Sequence, residues 1–208
     1  MWDPTGTIGR ALWIGGGQWA GKSTVARLLS VRHGLTAYHY DYHDARGHFD
    51  RRLARGEPVE RDPEENWVRR TPEKMAADSR EIFALRFEWT LDDLRALDSL
   101  RPLIAEGWGL RPELVVPLLD SPRRMIVMVP TDEFRLHQAA TLPRAGSVTN
   151  KVSDPERAQR NRLARDRLLA QDAVARAREL GVRVLEVDGS RKTEEVAGQV
   201  ADHFRPYL

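Results

Sequence analysis

The chain has 208 residues, of which 41% are hydrophobic and 31% are charged, a composition typical of one globular domain. A net charge of only +2 does not predict a nucleic-acid partner, and the lack of cysteine excludes disulfides and thiolate metal sites. No apolar stretch has membrane-spanning length, and the N-terminus lacks a signal-peptide pattern. We therefore expect a cytoplasmic monomer or homodimer that binds neither nucleic acid nor membrane.

Short apolar runs recur along the chain, and a helical pattern follows each of them. Strands that alternate with helices predict an α/β fold, in which a parallel sheet is covered by helices on both faces. The five predicted strands are residues 10–14, 36–40, 101–106, 124–129 and 182–187.

A glycine-rich segment follows the first predicted strand and precedes a predicted helix at 21–33. Its sequence, GGQWAGKS, fits the spacing G-x-x-x-x-G-K-[ST]. Glycines let the backbone N–H groups turn toward phosphate oxygens, while Lys22 would reach the β- and γ-phosphates and Ser23 would coordinate magnesium. The predicted nucleotide-binding residues are Gly16, Gly17, Gln18, Trp19, Ala20, Gly21, Lys22, Ser23 and Thr24.

Two features of the sequence bear on the choice of nucleotide and on the loop tip. GTPases usually recognise guanine through N-K-x-D, but here Asp154 follows Asn150 and Lys151 one residue too late. ATP is therefore the expected nucleotide. Trp19 is larger than the residues common at the tip of such a loop, so it either stacks on a substrate ring or is exposed.

A long polar and helical stretch, residues 44–97, separates the second and third predicted strands. Thr71 is a predicted N-cap, with Pro72 at the first helical position. Such an insertion would lie above the carboxyl ends of the strands, where open α/β sheets bind ligands. We expect it to shape an acceptor site, in which Arg86 would contact a polar molecule containing a ring. The aromatic candidates for the same site are Trp67, Phe83 and Trp89.

This order of elements resembles the small P-loop kinases, namely adenylate, shikimate and gluconate kinases and chloramphenicol phosphotransferase. A further resemblance is to actinobacterial kinase-like ATPases. It spans nearly the whole chain, although only the phosphate loop is a specific motif. It implies one domain over 1–208, with an acceptor insertion at 44–97 and a lid at 141–162. It also implies transfer of the γ-phosphate of ATP, with Mg²⁺, to a hydroxyl of a small organic acceptor such as a nucleoside, a sugar or an antibiotic-like compound. The alternative is an ATP-binding regulatory or adaptor protein with little transfer activity.

The resemblance also implies roles for acidic residues that follow two of the strands. Asp41 would contact the acceptor hydroxyl and accept its proton. Asp44 is the alternative base, and is otherwise expected to cap the following helix. Glu106 would hold a magnesium-bound water or a substrate hydroxyl, or else only form a strand-end turn. Trp108 would form one wall of the acceptor pocket.

The late part of the chain supplies the remaining candidates. In the resembling kinases, arginines of a lid stabilise charge on the triphosphate. Spacing of three residues brings Arg162 and Arg165 together on one helix face, which indicates a pair of catalytic arginines, unless this is only a solvated charged face. Gly189 would allow the loop after the fifth strand to approach adenine, and Ser190 would cap the next helix.

Overall fold

The computed structural model describes residues 2–57, 62–97, 99, 101–142, 145 and 151–208. Part of the predicted insertion (58–61) and part of the predicted lid (143–144 and 146–150, which includes Asn150) lie outside the described residues. Within the described ranges, no helix is both long enough and apolar enough to cross a membrane.

A single sheet of five parallel strands forms the centre of the molecule, in the order β2-β3-β1-β4-β5. The predicted fold class and all five predicted strands are confirmed. β2 ends one residue earlier than predicted, because Tyr40 already begins a helix. The strands are β1 (Leu12–Gly16), β2 (Thr36–His39), β3 (Leu103–Glu106), β4 (Met125–Pro130) and β5 (Arg183–Val187).

Helices connect the strands and cover the sheet. The long helix of the insertion begins as predicted, because the Thr71 hydroxyl accepts a hydrogen bond from the Lys74 amide at 3.3 Å. A π-helical turn, Glu65–Arg69, precedes it. The helices of the described residues are α1 (Thr7–Arg10), α2 (Lys22–His33), α3 (Tyr40–Ala45), α4 (Gly47–Ala54), α5 (Pro72–Ala96), α6 (Pro112–Val115), α7 (Asp132–Thr141), α8 (Pro155–Glu179) and α9 (Thr193–Phe204).

The core has two layers because successive strand residues point to opposite faces of the sheet. Trp13 of β1 packs on the face that α5 and α8 cover. Its neighbour Ile14 packs on the face that α2 and α9 cover. All residues of β1, β3 and β4 are buried, which explains why these strands carry no charged side chain other than Glu106 at the end of β3.

The order of the strands places a crevice at the carboxyl end of β1. From β1, the chain passes to β2 and β3 on one side of the sheet, and later to β4 and β5 on the other. Such a reversal of strand order is where open α/β sheets bind ligands. The loop from β1 to α2 and the starts of α3 and α6 therefore meet at this edge of the sheet.

Candidate active site

The phosphate loop connects β1 to α2. Gly16 has a φ of +115°, and a Cβ atom there would lie 2.2 Å from the carbonyl oxygen of Met128, so only glycine fits. Helix α2 then begins at Lys22, with Gly21 as its N-cap. A strand, this glycine-rich loop and a helix together form a P-loop. The chain has a P-loop fold.

The loop offers a set of unused hydrogen-bond donors. Within the described part of the chain, the backbone amides of residues 18–24 donate to no acceptor. Three of them belong to the first turn of α2, where the helix dipole is positive. Lys22 is 6% exposed, and its ammonium group donates to the Gly17 carbonyl at 2.6 Å, while Ser23 and Thr24 are exposed. This arrangement can bind the phosphates of a nucleotide.

Trp19 at the loop tip is buried, so the expectation of an exposed side chain is wrong. Its indole N–H donates to Asp166 Oδ2 at 3.0 Å, and the Arg162 guanidinium lies 5.2 Å from its ring centroid. Trp19 has a φ of +70°, a left-handed conformation that costs about 1–3 kcal/mol for a residue other than glycine. A hydrogen bond to a buried carboxylate is of similar size, about 1.5–3 kcal/mol, and offsets that strain.

Glu106 lies beside the phosphate loop at the end of β3. Its register places it opposite Ile14 of β1 and His39 of β2. Glu106 Oε1 accepts a hydrogen bond from His39 Nδ1 at 2.8 Å, and this hydrogen bond raises the pKa of His39. Glu106 is 1% exposed, and its Oε2 has no hydrogen-bond partner among the described residues. A buried carboxylate oxygen without a partner is a candidate ligand for a cation or an ordered water.

Asp41 lies in the first turn of α3, between the phosphate loop and the helical insertion. Its carboxylate accepts a hydrogen bond from the Trp108 amide at 3.3 Å. Water reaches Asp41 from the crevice, but protein atoms crowd around the carboxyl group. This partial desolvation raises its pKa to about 6, with a smaller upward effect from Glu106 and an opposing effect from the Lys22 charge. The Asp41 carboxylate therefore interacts both with Lys22 at the phosphate loop and with Trp108 after β3.

Asp44 does not cap a helix, so that expectation is wrong. It lies inside α3, and Arg46 occupies the N-cap position of the next helix. Its Oδ1 pairs instead with Arg86 Nη1 of α5 at 2.5 Å and lies 3.5 Å from His48 Nδ1. Burial favours the neutral acid, but the contacts with His48 and Arg86 outweigh it and lower the pKa of Asp44. Asp44 is thus an ionised partner of Arg86 at neutral pH.

A cavity of about 420 Å³ opens above the carboxyl ends of the strands, as expected for the insertion. Three of the predicted acceptor-site residues, Arg86, Trp67 and Phe83, line it, and so does Trp108. Trp89 does not, because it packs against His48 and Arg55. The lining residues are Asp44, Arg52, Asn66, Trp67, Arg70, Met75, Asp78, Ser79, Ile82, Phe83, Arg86, Trp108 and Arg165.

The two arginines predicted as a pair on α8 have different surroundings. Arg162 Nη1 donates to the carbonyl of Ala145 at 2.7 Å, and Arg162 also lies over Trp19. Arg165 lines the cavity, and its guanidinium is 5.1 Å from the ring centroids of both Trp67 and Trp108. One arginine therefore contacts the phosphate loop and the other contacts the acceptor cavity.

A second cavity, of about 450 Å³, lies on the other side of the phosphate loop. Gly189 borders its wall: with a φ of +82°, it lies so close to Phe134 that a Cβ atom would be 2.6 Å from the ring. Ser190 does not cap α9, so that expectation is wrong. Its hydroxyl contacts Asp188 at 2.7 Å, and Lys192 is the N-cap. The lining residues are Trp19, Ala20, Gly21, Thr24, Val25, Phe134, Gln138, Leu142, Val187, Arg191, Thr193 and Val196.

Several residues that line these cavities or contact their walls were not predicted from the sequence. Arg52, Arg70 and Asp78 line the first cavity, and Arg70 pairs with Asp78 at 2.9 Å. Asp166 contacts both Trp19 and Arg165. The one signal available in the sequence was the position of Asp166, an acid among the arginines of a basic helical segment.

The chain is distantly similar to known proteins of solved structure. No protein-family model matches it, and no curated protein matches it. Among solved structures, it is similar to a gluconokinase from Sinorhizobium meliloti 1021, with 14% identity, coverage of 96% of this chain and 93% of that chain, and a TM-score of 0.43. It is also similar to a shikimate kinase from Aquifex aeolicus vf5, with 17% identity, coverage of 93% and 95%, and a TM-score of 0.43. Because both scores and both identities are low, the fold assignment rests on the strand order and the P-loop.

Proposed function

We propose that the protein is an ATP- and Mg²⁺-dependent phosphotransferase that acts on a hydroxyl group of a small organic molecule. One observation carries this proposal: the position of Asp41 between two sites. Desolvation raises the pKa of its carboxyl group, and the charge of Lys22 at the phosphate loop opposes that rise. The same carboxyl group accepts a hydrogen bond from the amide of Trp108, which lines the 420 Å³ cavity. A carboxylate in this place can meet an acceptor hydroxyl beside a bound γ-phosphate.

The proposed roles follow from the chemistry of each group. The amides of residues 18–24 and the Lys22 ammonium bind the triphosphate and stabilise charge on its oxygens during transfer. Asp41 orients the acceptor hydroxyl and accepts its proton as the oxygen bonds to phosphorus and ADP leaves. A pKa of about 6 leaves Asp41 ionised at neutral pH, while keeping it more basic than an ordinary aspartate.

The residues beside the phosphate loop also fit a magnesium ion. Magnesium prefers oxygen ligands and keeps several waters. The Ser23 residue is exposed at the start of α2, and Glu106 Oε2 is buried without a partner. Ser23 would bind the ion directly, and Glu106 would hold one of its waters. The ion would neutralise charge on the β- and γ-phosphates.

The first cavity indicates the kind of acceptor. Its aromatic side chains, Trp67, Phe83 and Trp108, offer surfaces for a ring. Each of its four arginines already pairs with an acid, and the pairs are Arg52–Glu57, Arg70–Asp78, Arg86–Asp44 and Arg165–Asp166. This balance of charge favours a hydroxylated organic molecule, such as a nucleoside, a sugar or an antibiotic-like compound.

The test is to incubate the protein with Mg-ATP and a library of such compounds and to measure ADP release. Lys22→Ala should lower the transfer rate by on the order of a hundredfold or more. Arg32→Ala is the matched control, because it removes a positive charge from the exposed last turn of the same helix. Unchanged transfer in Lys22→Ala would contradict the proposal. Tight ATP binding with no transfer to any compound would favour the regulatory alternative instead.

A further inference from the structure

Asp166 on α8 connects the phosphate loop to the acceptor cavity. The residue is 1% exposed, and both of its carboxylate oxygens are engaged. Oδ2 accepts the indole N–H of Trp19 at 3.0 Å. Oδ1 accepts hydrogen bonds from Nε and Nη2 of Arg165, at 3.0 Å and 2.6 Å. One buried carboxylate therefore holds a side chain of each site.

The contact with Trp19 reaches the nucleotide side. Trp19 lies at the tip of the phosphate loop and lines the second cavity. Its backbone is left-handed although it is not a glycine, and the bond to Asp166 is the side-chain hydrogen bond that holds it there. Any adjustment of the loop around phosphates therefore changes the position of the indole ring relative to Asp166.

The contact with Arg165 reaches the acceptor side. Arg165 is 7% exposed, lies between the rings of Trp67 and Trp108, and lines the first cavity. Since Trp108 also donates its amide to Asp41, a movement of Arg165 alters the wall of the cavity next to the proposed base. A hydrogen bond to a buried ion pair is costly to break, so Asp166 favours joint movement of its two partners.

We propose that Asp166 is a positioning residue that transmits nucleotide binding at the phosphate loop to the acceptor cavity through Trp19 and Arg165. This inference rests on the proposed function, in that it takes the second cavity and the loop as the ATP site. Its consequence is that Mg-ATP alone changes the surroundings of Trp67 and Trp108, and that this change requires Asp166.

The experiment uses the full-length protein labelled with 5-fluorotryptophan and observed by ¹⁹F NMR. The chain has six tryptophans, and single Trp→Phe variants assign their resonances. In the wild type, Mg-ATP should shift the resonances of Trp19, Trp67 and Trp108. In Asp166→Asn, it should still shift that of Trp19 but leave those of Trp67 and Trp108 unmoved. Equal shifts of Trp67 and Trp108 in both proteins would overturn the inference.

Two further variants separate positioning from a general structural effect. Asp172→Asn is the matched control, because Asp172 lies on the same helix, pairs with Arg111 and lines neither cavity. It should respond to Mg-ATP as the wild type does, and loss of the Trp67 and Trp108 shifts there would overturn the inference. Trp19→Phe removes the hydrogen bond to Asp166 by replacing the indole with a smaller phenyl ring, and it serves the same purpose if Asp166→Asn does not fold. With it, Trp67 and Trp108 should again stay unmoved, and normal shifts would overturn the inference.

Nucleotide affinity gives an independent measurement. Calorimetry with Mg-ATP should show binding about tenfold weaker in Trp19→Phe and in Asp166→Asn, the usual effect of losing one hydrogen bond to a charged group. The double variant should bind no more weakly than the weaker single variant. Multiplied effects would show that the two residues act separately and would overturn the inference. Absence of ATP binding in the wild type would instead overturn the proposed function and this inference together.

Discussion

Asp41→Asn should make the protein more stable while it abolishes phosphoryl transfer. In the folded protein, crowding by protein atoms raises the pKa of Asp41 to about 6, from a usual value of 3.8. At neutral pH the folded protein therefore keeps an ionised carboxylate at a position where the neutral acid is favoured, which lowers the free energy of unfolding. Asparagine is neutral, has nearly the same shape, and retains an oxygen that can accept the Trp108 amide.

The size of the effect follows from the difference in pKa. A shift of about two units corresponds to about 3 kcal/mol, at about 1.4 kcal/mol per unit. Since water reaches Asp41 from the crevice, screening reduces this figure to about 1 kcal/mol. The penalty is complete above the folded-state pKa of about 6 and disappears below the unfolded-state pKa of about 4. The variant should thus gain about 1 kcal/mol near pH 8 and almost nothing near pH 4.

Urea unfolding followed by circular dichroism at these two pH values measures the difference. Glu88→Gln is the control, because Glu88 is exposed on α5, and it should leave the free energy of unfolding unchanged at both pH values. A second measurement, ADP release with an active acceptor, should show no transfer by Asp41→Asn, with Mg-ATP affinity retained. The reasoning is refuted if Asp41→Asn is less stable than the wild type near pH 8, or if its gain is the same at both pH values.

Two further predictions concern packing and pH. A Cβ atom at Gly109 would lie 2.3 Å from the ring of Tyr40, which is fully buried. Gly109→Ala should therefore lower the free energy of unfolding by about 1–3 kcal/mol. Gly198→Ala in α9 should instead raise the free energy of unfolding by about 0.5–1 kcal/mol, because alanine favours a helix more than glycine does. Burial disfavours the charged form of His48, but the carboxylates of Asp44 and Asp93 outweigh burial and raise the pKa of His48. The protonated imidazole therefore stabilises the fold below about pH 6.5, and this stabilisation is lost as pH rises through the folded-state pKa. His48→Gln should thus lose less stability than the wild type between about pH 6 and pH 9.

Thermal and urea unfolding of purified variants test both predictions. Gly198 is a fair control for Gly109, because a Cβ atom there meets nothing within 4 Å. Equal stability of the two glycine variants would show that Tyr40 can move aside. For His48, a wild type and a variant that lose stability in parallel as pH rises would show that the imidazole is uncharged in the folded protein.

The sequence by itself determined the parts of the protein that are local in the chain. The phosphate loop needs eight consecutive residues between a strand and a helix, so its spacing alone predicted its position. Continuous apolar runs predicted the buried strands, because both faces of a parallel sheet are covered. The N-cap at Thr71 also depends on contacts within one helical turn, and the structure confirms it.

The tertiary structure decided which distant side chains face one another. Asp44, expected to cap a helix, pairs with Arg86, which lies 42 residues away in the chain. Trp19, expected either to meet a substrate or to be exposed, is buried and bonds to Asp166, which lies 147 residues away. Such pairs are set by how helices pack across the sheet and leave no periodic pattern in the sequence. The chain thus encodes its phosphate-binding loop locally, whereas the walls of the acceptor cavity exist only because α5 and α8 pack on the same face of the sheet.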